Sequence, residues 1–187
     1  MRDKIKKNIL YFIEEIIPVI LGILIALYIN NWNESRKEKR YINQIFSSIS
    51  KELKDTNEEI DRIIPLQKSL VDTISFYSKN NDINLFDALR KTNGMHIPTI
   101  RLNSWKAISN SKIELVNYEK LTLLSRIEEQ QELIKNKSEY LMGFLYSNIH
   151  SYENEKKKVL QILITDLIQT EESAQEGIRN FEKLEKQ

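Results

Sequence analysis

Apolar residues are distributed unevenly along the chain. Ile16 to Ile29 reads IIPVILGILIALYI without a charge, and extending back to Ile9 takes in only Glu14 and Glu15. Ile9 to Ile29 is 21 residues, roughly 31 Å as a helix, which is enough to cross a hydrocarbon core about 30 Å thick. Tyr11 and Trp32 stand near the two ends, where aromatic belts meet the water boundary. The pattern predicts a membrane anchor over residues 1–33, spanning about 9–32. Either the two glutamates lie inside the membrane near one interface, or the span runs from Ile16 to Trp32 and the first turns rest on the surface. A cleaved signal peptide needs a pair of small residues after the apolar run, and Tyr28-Ile29-Asn30-Asn31-Trp32-Asn33 supplies none. The segment therefore reads as an uncleaved signal anchor.

Beyond the anchor the spacing becomes helical without a break. Ile42, Ile49, Thr56, Ile63, Leu70 and Tyr77 lie seven apart, and Phe46, Leu53, Ile60, Gln67 and Ile74 form the companion series. Such a heptad is buried either as core within the chain or as a coiled-coil seam with another copy. Pro65 is expected to kink or unwind this helix near Ile64, and Lys79-Asn80-Asn81-Asp82 to end it. Asn84 caps a predicted short helix from Leu85 to Lys91, with Asp87 in its first turn. Thr92 to Thr99 carries the turn chemistry, and although Asn93-Gly94 suits a hairpin, its flanks do not alternate as strands do. A loop near 92–101 is expected, followed by a short helix around Ser104 to Ser109. Asn117 caps the next helix, which carries Leu121, Leu124, Ile127, Ile134, Leu141, Leu145 and Tyr152 and is drawn past Ile164. Ala174, Ile178, Phe181 and Leu184 mark a last amphipathic segment. The fold class is all-α: an amino-terminal transmembrane helix continuing into a long-helix bundle, or coiled-coil-like domain, over 34–187.

Composition agrees with that reading and removes alternatives. Only 4 glycines and 3 prolines occur in 187 residues, too few for a many-stranded sandwich or a glycine-loop nucleotide fold. No cysteine is present, so disulfides, thiol nucleophiles and thiolate metal sites are excluded. The 28 basic and 27 acidic residues nearly balance, which gives no electrostatic reason to expect nucleic acid. His96 and His150 are too few for a histidine metal site, and they read as an exposed loop residue and a surface residue. No G-x-S-x-G elbow, phosphate loop, H-E-x-x-H or E-x-x-H pair occurs, so the chain reads as a non-enzyme without cofactor, metal or evident small-molecule substrate.

The candidate chemistry lies in the anchor. Ionisable groups in a membrane are costly. Glu15 is read either as a proton- or cation-handling carboxylate or a polar contact between anchors on the same face as Gly22, Ala26 and Asn30, or as an interfacial residue paired with Lys6, Lys7 or headgroups. Gly22 and Ala26 form a small-xxx-small pair that admits a second helix. Asn30 extends the same stripe, and Trp32 serves as the interface anchor. Arg36-Lys37-Glu38-Lys39-Arg40 reads as a solvated juxtamembrane turn that suits anionic headgroups. Glu155-Lys156-Lys157-Lys158 reads as a solvated helix face, and Trp105 with Ile108 and Tyr118 as core. Four basic residues precede the span and four follow it, so the positive-inside rule is tied. The default for a basic amino tail then places the carboxyl-side domain in the periplasm.

Gly22 to Lys37 reads GILIALYINNWNESRK. This resembles the GILIALxINNWNExRK block of an uncharacterised family of small single-pass membrane proteins from Bacteroidota, a domain of unknown function. Family members usually carry a Glu seven residues before the glycine, where Glu15 stands here. Trp105 to Leu124 is similar to a second family segment in which a Ser-Gly turn precedes an asparagine and a leucine-rich helix; this chain has Asn110-Ser111 at that turn. The resemblance implies a bacterial membrane protein with a helical soluble part, for which the inner membrane is the expected location, and it brings no activity or catalytic residue. The combined expectation is a single-pass, membrane-anchored helical protein that contacts itself or another membrane protein as a scaffold, sensor or accessory subunit. The alternative is an oligomeric transport or channel component using Glu15. A carboxylate enzyme on an all-α fold ranks third.

Overall fold

A computed structural model of the chain describes residues 2–78 and 83–186, with residues 2–10 described by their backbone alone. Among the described residues five helices follow one another: α1 Arg2–Phe76, α2 Leu85–Lys91, α3 Asn103–Ser109, α4 Tyr118–Asn148 and α5 Asn154–Glu185. A single 3-10 turn at Ile113–Leu115 precedes α4, and no strand occurs among the described residues. The chain divides into two compact units, Met1–Gln44 and Ile45–Gln187. The apolar run ends near residue 33 and the packed unit begins at Ile45; Asn33 to Gln44 is helix with no buried residue.

In the second unit the heptad of α1 is buried within the chain. Phe46, Ile49, Leu53, Ile60, Leu70 and Ile74 are nearly or fully removed from solvent, and so are the polar members Thr56 and Gln67. Ile64 takes the inward place that strict seven-residue counting gives to Ile63, because a straight helix drifts from a 3.5-residue repeat. α5 runs antiparallel to this part of α1. Phe46 stacks on Phe181 with ring centroids 6.4 Å apart, Asp61 Oδ1 accepts from Gln175 Nε2 at 2.7 Å, and Val71 O accepts from Gln161 Nε2 at 3.3 Å. α4 lies antiparallel to α5, with Lys120 paired to Glu185 at one end and Lys137 to Asp166 at 2.8 Å further along. Gly177 lets the two helices approach closely, since a Cβ there would stand 3.1 Å from Ile127 Cγ1. Two antiparallel pairings place α1 and α4 parallel, and the segment between them must cross the length of the bundle.

That crossing segment is pinned by side chains. Asn84 Oδ1 accepts from the Asp87 amide at 2.9 Å, the expected cap of α2, while the first free N–H groups of α2 reach Ser151 O and Ile149 O in the α4–α5 turn. Asn93 (φ 62°) and Gly94 (φ 93°) turn through left-handed backbone, and the Gly94 amide donates to Leu89 O at 2.9 Å. The pair therefore ends α2 and makes no hairpin. α3 lacks a side-chain cap of its own, and Glu52 of α1 supplies one by accepting from the Ser104 amide and hydroxyl. Trp105, 1% exposed, fills the interior beneath α3 and donates its indole N–H to Glu128 at 2.7 Å.

Three local expectations change, and the backbone at Asn110 takes a definite form. α1 stays helical through Pro65; the proline is exposed while Ile64 and Gln67 beside it are buried, so the lost backbone bond faces water. The helix drawn past Ile164 breaks at Ile149–Glu153, because the three-helix packing requires a reversal there. Tyr118 is 80% exposed, since it opens the first turn of α4 outside the core stripe. Asn110 closes α3 in right-handed geometry (φ −85°), so the turn needs no glycine. The expected terminator at 79–82 lies outside the described residues.

Trp105→Ala is expected to cost about 3–5 kcal/mol of stability. Trp105→Phe, which keeps most of the buried ring and loses the Glu128 bond, should cost clearly less. Denaturant unfolding of the detergent-solubilised chain, followed by helical circular dichroism, measures both.

Candidate functional site

The first unit is one stretch of helix rich in Ile, Leu and Val. From Tyr11 to Arg40 no residue is buried. Leu24 and Ile25 are 55% and 58% exposed, as side chains are on a helix with nothing beside it. α1 is the one described helix long and apolar enough to cross a membrane, and none of its apolar window is buried. An uncovered apolar surface of this kind marks a contact with lipid or protein.

At 100° per residue, Glu15, Gly22, Ala26 and Asn30 fall within an arc of about 80° on this helix. All four are exposed, and a Cβ added to Gly22 meets nothing within 4 Å. The arc is thus a smooth face, with a carboxylate near one end and an amide near the other. Trp32 lies off the arc, and the Arg36 guanidinium covers its ring at 4.8 Å. Arg40 Nε in turn donates to Arg36 O at 3.3 Å. The aromatic residue and the basic run therefore form one amphipathic collar just past the apolar stretch. The side chains of Lys6 and Lys7, named as partners for Glu15, lie outside the described set.

The second unit holds polar groups that the sequence pattern did not single out. Gln67 of α1 donates from Nε2 both to Glu171 Oε1 and to His96 O, each at 2.9 Å. Glu171 is fully buried, and desolvation pushes its carboxyl up to about 7; the Gln67 hydrogen bond opposes this and the negative charge of Glu172 adds to it. Lys157 is 1% exposed, so the four-residue run 155–158 is not a uniformly solvated face. It stands three residues before Leu160 and seven before Ile164, on the buried stripe of α5, and its Nζ donates to Tyr77 O at 3.2 Å just past the end of α1. Burial lowers its pKa. The signal for both residues was positional, since each continues an apolar series at three- and four-residue spacing, but a charged side chain in such a series is ordinarily assigned to the surface.

His96 lies in the loop and is half-buried, whereas His150 is exposed and lies 6.2 Å from the Phe86 ring. Among the described residues no three His, Asp or Glu side chains gather as a metal-binding group would. A cleft of about 410 Å³ between the loop and α4 carries Lys106, Lys135, Glu132 and Glu139. Its Ser138 hydroxyl is already spent on Ile134 O at 2.6 Å, which leaves mixed charge without a converging polar set.

Residues 15–94 match the model of a family of unknown function, DUF6090. The matched region begins at Glu15, takes in the apolar run, the Asn30–Lys37 block and the rest of α1, and ends at Gly94. No curated protein and no solved structure matches the chain. The similarity is thus to a family without an assigned activity, over the anchor and the helix that leads into the bundle.

Proposed function

We propose that the chain is a bacterial single-pass membrane protein held in the inner membrane by residues 9–32. Its helical unit carries out a protein–protein task as a scaffold, sensor or accessory subunit rather than as an enzyme. The observation that supports this is the contrast in burial: residues 45–186 close a core of their own, while the strongly apolar residues 11–32 have none. Roughly 25 cal/mol per Å² of apolar surface makes such a helix untenable in water. With the flanking charges tied, the default for a basic amino tail favours a periplasmic carboxyl-side unit, and the absence of cysteine is compatible with that compartment.

The same reading gives the anchor a partner. Lipid needs no order in an apolar surface, yet Glu15, Gly22, Ala26 and Asn30 share one arc. Gly22 and Ala26 let a second backbone come close, and buried between two helices the carboxyl and amide groups find hydrogen bonds that lipid cannot offer. The favoured occupant is a second copy of the anchor or another membrane helix.

The full chain is expected to remain in the membrane fraction after carbonate washing, while a fragment beginning at Ser35 should be soluble and strongly helical. Release of the full chain by the wash would show that 11–32 is covered by protein instead of lipid. A reporter that works only in the cytoplasm, fused after Gln187, should stay silent, and activity there reverses the orientation. In a crosslinking or membrane two-hybrid assay of the span, Gly22→Ile should weaken association by about 1 kcal/mol or more. Equal association of the two spans sinks the shared-face argument.

A further inference from the structure

Glu171 is 0% exposed, and its two carboxyl oxygens are served unequally. Oε1 accepts the Gln67 amide; Oε2 is buried with no hydrogen-bond partner among the described residues. Gln67 has used both hydrogens of its amide, on Glu171 and on His96 O, and its own Oε1 is also buried and unpartnered. An ionised carboxylate inside a protein calls for several donors or a cation. This one has a single neutral donor and shares its cluster with a second bare acceptor. A carboxylic acid, with one oxygen acting as donor, suits the cluster far better.

We propose that Glu171, Gln67 and the His96 carbonyl form a proton-operated latch: with a proton on Glu171 the cluster is neutral and holds the 92–102 segment on the bundle, and loss of that proton lets the segment open. The segment sends Ile100 and Leu102 into the core, yet it is the part of the enclosure without a helical backbone ladder. It is irregular, and it is tied down by separate side-chain bonds, from the Thr99 amide to Glu59 at 3.1 Å, from the Arg101 amide to Thr56 at 3.1 Å, and from Gln131 to Ile100 O. α1 and α5, which carry Gln67 and Glu171, are long continuous helices. Water that must reach an ionised Oε2 enters where the backbone lacks a cooperative ladder.

The other charged groups around the cluster are engaged elsewhere. Lys68 of α1 pairs with Glu172 of α5 at 2.9 Å, both at the surface, and Asp61 of α1 holds Gln175. Lys137 of α4 bonds Asp166 and the Thr170 hydroxyl, both on α5 and the latter next to Glu171. In the segment itself, Arg101 pairs with Glu59 at 3.5 Å. His96 contributes an imidazole whose Nε2 is buried without a partner among the described residues, so its substitution serves as the control.

An acid whose pKa is raised in the closed form stabilises that form fully below its ordinary value of 4.5. The advantage shrinks as pH rises and is gone once pH passes about 7. Across that window the opening constant should rise about tenfold per pH unit and then level off. The test is hydrogen exchange of the Thr99 and Arg101 amides in the detergent-solubilised full chain, corrected for the intrinsic pH dependence of exchange. Glu171→Gln, which keeps an acceptor and cannot ionise, should flatten the profile. His96→Asn, which keeps the backbone carbonyl, should leave the slope unchanged. A flat wild-type profile, an unchanged slope in Glu171→Gln, or a slope lost in His96→Asn each overturns the latch. Carbon-13 titration of the Glu171 carboxyl in the unmutated protein needs no variant: a midpoint near neutrality supports the proposal, and one in the ordinary carboxylate range refutes it.

Discussion

Removal of apolar surface from water governs both units of this chain, and each meets it differently. In residues 45–186 the stripe on α1 finds α5, α5 finds α4, and the crossing segment lies over what remains. Ile49, Leu53, Ile60, Leu70, Ile164 and Ile178 all lose their exposure within the chain. In residues 11–32 every apolar side chain keeps about half its surface or more open, or is at best partly covered by its own helix. Such an amount of exposed Ile, Leu and Val is stable only in contact with lipid or with another apolar surface. The proposed anchoring and the proposed pairing of anchors both follow from that requirement.

Hydrophobic burial is non-directional, so polar side chains set the register. Thr56, Gln67 and Gln175 occupy buried positions on α1 and α5 and tie those helices to each other and to the crossing segment. Glu52 and Glu128 hold α3 from two sides, one capping its amino end and the other accepting the Trp105 indole. A shift of either helix by one turn would leave several of these groups buried without partners, at roughly 1–3 kcal/mol each. The structure therefore specifies one arrangement of helices whose apolar surfaces alone would permit several. Glu171 departs from this scheme, because its Oε2 and the neighbouring Gln67 Oε1 are buried with no hydrogen-bond partner among the described residues.

How much was legible in the residues varies from element to element. The apolar run, the caps at Asn84 and Asn117, and the turn at Asn93-Gly94 are local features whose physics is complete within a few residues, and they mark helices and boundaries correctly. The heptad on α1 was equally visible, but whether it packs within the chain or against another copy is not a local property. Lys157 reads as outward with its basic run and Glu171 is not singled out, because charge ordinarily stays in water; only the packing of α5 against the end of α1 and against Gln67 shows why these two are buried. The long helix drawn through residue 150 failed for a related reason. Residues 149–153 contain neither glycine nor proline, and the reversal there is imposed by the antiparallel docking of α4 and α5.

By itself, the sequence determined that this protein is helical, that its amino-terminal helix suits a membrane, and where its short helices begin, since periodicity, run length and caps act between near neighbours. The tertiary structure alone decided which polar groups are buried, which helix reverses where, and that Gln67, Glu171 and the loop at His96 meet. Those outcomes depend on distant residues, such as Gln67 and Glu171 at 104 positions apart, coming together in a shared, water-free interior.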